Sequence, residues 1–227
     1  MISLLLPTRK RINLLTDCIN SIVNNCESKD NFEILFAIDP DDNEMIEYIK
    51  KFDQCNFQYL IMEIRYGYGK LNEYVNRLCQ IAKGDLLWLF NDDAEILTKD
   101  WDRIILNNTM SNKIELYNFN NNNHRPNIFP MITKKMYNIL GYFSKHPCID
   151  SYVLIMSRTI NSMFEINIMK YISDVQLVHK IILKNTNRLI YKERDEHIMT
   201  VKKSFWTDEN QKNILDDAKK LGSACVL

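Results

Sequence analysis

The stretch GDLLWLFNDDAEI, residues 84–96, sets an apolar run against a cluster of acids. Leu86 to Phe90 are apolar, and Asn91, Asp92, Asp93 and Glu95 follow almost at once. Carboxylates buried without partners are costly, and like charges this close repel. A divalent cation removes that cost. Mg²⁺ and Mn²⁺ take oxygen ligands, characteristically one or two carboxylates together with substrate phosphates. The alternative is that one of these side chains caps the next helix or is simply solvated. That helix is expected to start later, near TKDWD (98–102), with Thr98 as its better cap and Trp101 packing behind it, which weakens that alternative.

The elements that must position such a cluster are legible in the first hundred residues. ISLLLP (2–7), FEILFAI (32–38), FQYLIMEI (57–64) and DLLWLF (85–90) read as strands. Between them, apolar residues recur with helical spacing at 12, 15, 19, 22 and 23, in NEMIEYIKKF (43–52), and in LNEYVNRLCQIA (71–82). Strands alternating with helices predict an α/β fold with a mainly parallel sheet flanked by helices. Ligands of such sheets bind beyond the carboxyl ends of the strands. The residues at those ends are Pro7-Thr8-Arg9, Asp39 to Asp42, the loop Arg65 to Lys70, and Asn91 to Glu95. The second half is less regular. Helical patterns fall near 99–106, 133–140, 150–159 and 205–220, and NFNNNNHRPN (118–127) reads as a polar loop. Neither an internal repeat nor a separating linker is visible, so residues 1–227 are expected to form a single domain.

Composition narrows the function classes. Lys plus Arg equals Asp plus Glu at 29 each, so no net field draws the chain onto nucleic acid or anionic lipid. The six cysteines (18, 26, 55, 79, 148 and 225) match neither a zinc-site nor a disulfide spacing. They are expected to be reduced and mostly buried, in a cytoplasmic protein. The apolar run in MISLLLPTRKR is too short for a signal peptide, and no window approaches the ~20 apolar residues of a transmembrane segment.

ISLLLPTRKR, EILFAIDPDD and GDLLWLFNDDAEI, in that order, resemble the nucleotide-sugar half of a family 2-like glycosyltransferase with the A-type (nucleotide-diphospho-sugar transferase), Rossmann-like fold. The resemblance covers residues 1–106 and, more weakly, 127–180. It implies a nucleotide-sugar-binding half over 1–106 and an acceptor-side half over 107–227. It also implies transfer from a UDP- or GDP-sugar to a glycan, lipid-linked or protein acceptor, with Mn²⁺ or Mg²⁺ as cofactor. Thr8 and Arg9 would line the nucleotide pocket. Asp39 would accept a hydrogen bond from the base, with Asp41 as the fallback. Arg65 or Lys70 would lie near base or phosphate. Asp92 would face ribose or sugar, and Asp93 would ligate the metal. The chain has Asn-Asp-Asp where the family has Asp-x-Asp, so Asp93 with Glu95 remains a rival metal pair.

The second half adds two candidates. FPMITKKMYNILGYF (129–143) resembles the family segment leading into a helix beside the acceptor, with Gly141 supplying its terminating turn. CIDSYV (148–153) follows, and the resemblance assigns Asp150 as the base that takes the acceptor hydroxyl's proton. The bland reading makes Asp150 a helix cap. His179, in SDVQLVHK, matches a C-terminal metal-ligating histidine of the fold, against a structural role on a half-buried strand. His124, His146 and His197 have weaker cases. Trp88, Trp101 and Trp206 read as core or helix-packing residues, while Tyr66 and Tyr68 would stack on base or sugar or simply pack. Two rivals remain. One is a nucleotidyltransferase of similar architecture, disfavoured because PTRKRIN has no glycine. The other is a non-catalytic nucleotide-sugar-binding module.

Overall fold

The computed structural model describes residues 1–121, 129–179 and 200–226. Eight strands form one sheet in the order β3-β2-β1-β4-β7-β6-β8-β5. The parallel half contains β1 (Ile2–Thr8), β2 (Phe32–Ile38), β3 (Phe57–Ile61) and β4 (Leu86–Leu89). β1 lies at its centre. The chain runs outward to β2 and β3, then returns to place β4 on the other side of β1. The direction of winding therefore reverses between β1 and β4, where open α/β sheets form their ligand crevice. The other half holds β5 (Ala94–Ile96), β6 (Leu116–Asn121), β7 (Met131–Thr133) and β8 (Met169–His179). Of these, β7 runs antiparallel to β4 and β6, and β5 antiparallel to β8.

Alternation along the central strands splits the core into two layers. Ile2, Leu4 and Leu6 of β1 face one layer, with Leu15, Cys18, Ile19 and Ile22 of α1 (Ile12–Asn24) and Met45 and Ile49 of α2 (Asn43–Lys50). Leu5 faces the other, with Val75 and Leu78 of α3 (Leu71–Ile81), Met136 of α5 (Lys134–Leu140) and Tyr152 of α6 (Ile149–Phe164). The C-terminal helix, Asp208–Val226, closes this second layer. Buried Asp217 pins it there by accepting from Tyr142 Oη and Tyr152 Oη at 2.5 Å each and from Lys145 Nζ at 3.3 Å.

Several expectations are corrected. The third strand stops at Ile61, three residues early, because the chain leaves the sheet edge after Met62 N–H reaches Ile38 O at 2.9 Å. Thr98 does not cap α4 (Trp101–Asn107); Asp100 holds that position at φ 53°. Thr98 instead joins β8, donating to Asp174 O and accepting from Gln176 N–H. Residues 118–121, expected in a loop, belong to β6, whose pairing with β8 supplies the backbone hydrogen bonds that their polar side chains do not advertise. Residues 122–128, with His124, and 180–199, with His197, lie outside the described residues. Trp88 and Trp101 are fully buried and pack together at 5.7 Å, but Trp206 is exposed. None of the six cysteines is in a disulfide; Cys18 and Cys79 are buried and the other four half-buried. Gly141 ends α5 in the left-handed region, as the sequence expects. Among the described residues no helix is long and apolar enough to cross a membrane.

One buried acid ties the sheet's far edge to its centre. Asp102, at the start of α4, accepts from Glu27 N–H (2.7 Å), Ser28 N–H (3.0 Å) and the Asn31 amide (2.8 Å). Burial opposes its ionisation, but these donors outweigh it and hold the carboxyl below its ordinary value. A lowered folded pKa gives stability that is present above the unfolded value of about 3.9 and lost as pH falls through the folded one. Asp102→Asn should therefore cost about 2 kcal/mol at neutral pH. The gap from wild type should narrow below about pH 4, which urea unfolding at two pH values will show.

Candidate active site

A cavity of about 610 Å³ opens at the carboxyl edge of the parallel half. Its walls come from the ends of β1, β2 and β4, the loop before α3, and the last residue of β8. β1 delivers Thr8, and the chain then turns through Lys10, which adopts φ 53°. A non-glycine residue in this left-handed region needs support, and Lys10 N–H donates to Asp42 Oδ2 at 2.7 Å. Its neighbours reach two different acidic clusters. Arg9 forks onto Asp41 at 2.5 and 2.9 Å and reaches Asp39 Oδ2 at 2.9 Å. Asp41 is thereby held at about 2, chiefly by the Arg9 hydrogen bond. Arg11 goes to the pair that follows β4.

That pair is the centre of the site. After β4 the chain makes a tight turn closed by Ala94 N–H to Asn91 O at 3.1 Å, which carries Asp92 and Asp93. Their side chains are 1% and 2% exposed. Thr8 Oγ1 donates to Asp92 Oδ2 at 2.8 Å. The Arg11 guanidinium clasps both oxygens of Asp92 through Nη2 and Nε, and reaches Asp93 Oδ2 through Nη1 at 3.2 Å. Burial pushes the Asp92 carboxyl up to about 6, against the pull of Arg11. Burial acts on Asp93 in the same sense, but His179 and Arg11 outweigh it and hold Asp93 below the ordinary carboxylate value.

The antiparallel edge completes this centre. β5 begins at Ala94, directly opposite His179 on β8. A residue far along the chain is thus placed beside Asp93 by strand register, with His179 Nε2 standing 3.0 Å from Asp93 Oδ1. A one-residue slip would send His179 to the other face of the sheet. Asn91 Nδ2 also lies 3.5 Å from His179 Nε2.

At the Asp39 end of the cavity, Tyr74 of α3 does two things at once. Its hydroxyl donates to Asp39 Oδ1 and accepts from Tyr66 N–H and Gly67 N–H, each at 2.9 Å. Burial and the bond to Asp39 raise the phenol above its ordinary range, so it remains a donor at neutral pH. Asp39 is buried, and Arg65 Nε stands 3.8 Å from its Oδ2.

The structure therefore brings Thr8, Arg9, Asp39, Arg65, Asp92, Asp93 and His179 into one cavity, together with Tyr68. Lys70 is exposed at the end of a 3-10 turn and does not line it. Glu95 sits on β5 opposite Val178, also outside the lining, so the adjacent pair Asp92 and Asp93 is the one presented. Asp150 lies apart from the cavity lining, in the first turn of α6, and accepts from Ser151 N–H at 2.8 Å. The cap position of α6 is Cys148, not Asp150. His146 is buried against Phe205, with Nε2 3.0 Å from Ser204 Oγ and Nδ1 accepting from Cys148 N–H, a packing role. Arg11 and Tyr74 escape the sequence reading. The signal for Arg11 was present in the three successive cations of Arg9-Lys10-Arg11, but nothing in the sequence says which of them meets the acidic pair.

The donor set can be tested against a divalent ion. Among the described residues no group of three or more His, Cys, Asp or Glu side chains is arranged to hold a metal. Asp93 Oδ1, however, is a buried carboxylate oxygen that accepts no aligned hydrogen bond, although His179 Nε2 stands beside it. One carboxylate oxygen and one imidazole nitrogen facing a cavity do not make a closed protein cage. They do fit an ion shared with phosphate oxygens.

Comparison with known proteins agrees with this architecture. The model of the family described as Glycosyl transferase family 2 matches residues 3–161. No curated protein matches the chain. Among solved structures, S. aureus TarS 1–349 in complex with UDP aligns with a TM-score of 0.58 at 14% identity, over 78% of this chain and 60% of that one. Mannosyltransferase PcManGT from Pyrobaculum calidifontis, in complex with GDP-Man and Mn²⁺, aligns with a TM-score of 0.64 at 11% identity, over 99% and 73%. At these identities the likeness is one of fold. The chain spans less than two thirds of the UDP-bound TarS fragment.

The Tyr74 hydroxyl should govern the order of the loop before α3. Tyr74→Phe removes the acceptor for two backbone amides, and hydrogen exchange at Tyr66 and Gly67 should quicken by about tenfold or more, as expected for a hydrogen bond worth ~1.5 kcal/mol. The amides of α3 should stay protected. Unchanged exchange at both loop positions would contradict this role.

Proposed function

The chain belongs to glycosyl transferase family 2, and from that premise we propose that it moves a sugar from a UDP- or GDP-sugar to an acceptor hydroxyl, with a divalent cation and with inversion. The observation that carries this reading is the buried oxygen Asp93 Oδ1, left without a hydrogen bond beside His179 Nε2 in a cavity otherwise rich in cations. The neighbours support it: the solved complexes carry UDP and UDP-GlcNAc in TarS, and GDP-Man with Mn²⁺ in PcManGT.

In this reading Asp39, fixed by Tyr74 and Arg9, accepts from the base, and Thr8, Arg9 and Arg65 line the nucleotide. Asp92 faces ribose or sugar. Asp93 and His179 would hold Mn²⁺ or Mg²⁺, which would offset charge on the diphosphate leaving group. Of the two cations in this loop, Arg65 lines the cavity and Lys70 does not. Asp150 takes the proton of the acceptor hydroxyl. The acceptor oxygen then bonds to the anomeric carbon from the face opposite the diphosphate. The anomeric carbon–oxygen bond to the diphosphate breaks, and its electron pair leaves with the nucleotide. The amides at the start of α6 favour the ionised form of Asp150 that this step needs. Acceptors of the glycan, lipid-linked or protein kind fit the chemistry equally. Six cysteines outside any disulfide support a reducing, cytoplasmic setting.

A thermal-shift panel of nucleotide sugars, with and without Mn²⁺, tests the reading, since a ligand of the folded state raises its stability. A UDP- or GDP-sugar should raise the melting temperature in an Mn²⁺-dependent way, and Asp93→Ala should abolish that dependence. Asp150→Asn should keep the shift while transfer falls by about 100-fold. Equal losses of binding and transfer in Asp150→Asn would remove it as the base, and a panel with no Mn²⁺-dependent donor would remove the whole assignment.

A further inference from the structure

Arg11 places a positive charge where an incoming ion needs negative charge. Its guanidinium spans Asp92 and Asp93, touching three of their four carboxylate oxygens and leaving only Asp93 Oδ1. At 12% exposure it is a fixed part of the wall, with little water to screen it. The two carboxylates and one guanidinium leave a single net negative charge to face a doubly charged ion. The rest of the wall does not add to it: Arg9, Lys10 and Arg65 are balanced by Asp39 and by Asp41 and Asp42, which bind Arg9 and the Lys10 amide. A lone cation therefore meets only that single residual charge, with the Arg11 guanidinium already bound to both carboxylates. A diphosphate reverses that balance.

We propose that Arg11 sets the metal affinity of this site, holding the empty acidic pair in a weak-binding state so that a divalent ion is taken up only together with a diphosphate. This rests on the functional reading above and extends it with a residue whose charge makes ion and nucleotide interdependent. Reciprocity follows: if diphosphate tightens the ion, the ion tightens the diphosphate by the same factor.

The test titrates Mn²⁺ into the full chain and follows free Mn²⁺ by electron paramagnetic resonance, first alone and then with saturating UDP or GDP. In the wild type, one of the diphosphates should tighten Mn²⁺ by about tenfold or more. R11Q should bind Mn²⁺ alone about tenfold more tightly than the wild type, with a smaller further gain from the nucleotide. R11K, which keeps the charge but not the fork, should stay close to the wild type. Loss of Arg11 removes a buried charge partner, so R11Q is expected to be less stable. If it is too unstable to titrate, Mn²⁺ should restore its folding at concentrations that do not shift the wild type, and failure to do so overturns the inference. R11Q binding Mn²⁺ no better than the wild type also overturns it. In that case diphosphate-dependent Mn²⁺ binding by the wild type, lost in D93N, leaves the functional reading standing. Absence of Mn²⁺ binding by the wild type even with both diphosphates removes that reading and this inference together.

Discussion

Two adjacent carboxylates are held almost entirely out of water at the tip of a buried strand, and the rest of the site exists to make that tolerable. Unpaired, such a pair would repel itself and lose its hydration. The protein answers with a guanidinium that grips both, a threonine hydroxyl on one and an imidazole beside the other. Each partner comes from a different place in the sheet: Thr8 ends β1, Arg11 follows the turn after it, and His179 ends β8. The acidic pair is therefore where the parallel and antiparallel halves are joined electrostatically as well as by backbone pairing.

That requirement explains features with no obvious purpose of their own. The left-handed conformation of Lys10 carries a steric cost of about 1–2 kcal/mol for a residue with a Cβ. It is offset in part by the Asp42 hydrogen bond, and it separates Arg9 from Arg11, one serving the Asp39–Asp41 cluster and the other Asp92–Asp93. The short strand β5, only three residues, has a similar logic. Its pairing with the end of β8 positions His179, and the aromatic stack of Phe32, Trp101 and Trp88, with Trp101 Nε1 bonded to Ile22 O, holds the layer behind it.

The parallel half was legible in the sequence because β1, β2 and β4 are buried and read as largely apolar runs, while the half-exposed edge strand β3 ends three residues before its sequence pattern does. Residues 32–38 were read to their exact ends, and β4 to within one residue at each end. The antiparallel half was not. β8 exposes Lys170, Tyr171, Ser173, Asp174 and Gln176, so its pattern resembles neither a buried strand nor a helix. β6 carries Asn118 and Asn120 in a run that composition marks as loop, and only its neighbours make it a strand. In the site, residues next to strand ends were found because position alone points to them. Arg11 and Tyr74 were missed because their roles depend on a backbone turn and on how α3 packs over the loop. Neither is visible in residue spacing. Trp206 shows the converse error, since a large aromatic invites a core assignment that the final turn before the C-terminal helix does not provide.

The Asp39 end of the cavity shows how a buried acid can be engaged and still keep acceptor capacity. Asp39 already accepts from Tyr74 on Oδ1 and from Arg9 on Oδ2. An ionised carboxylate has about four acceptor positions, so these bonds fix its orientation without exhausting it. A ligand N–H would then meet an acceptor whose direction has been set beforehand, with little ordering left to be done on binding. The same Tyr74 hydroxyl holds the backbone of Tyr66 and Gly67, so the loop that would cover the base and the acid that would read it share one anchor. The two ends of the cavity follow a common plan: each acidic group is paired with a cation and further fixed by a neutral donor or ring, Tyr74 on one side and Thr8 and His179 on the other, which leaves a preset acceptor rather than an uncommitted charge facing the ligand.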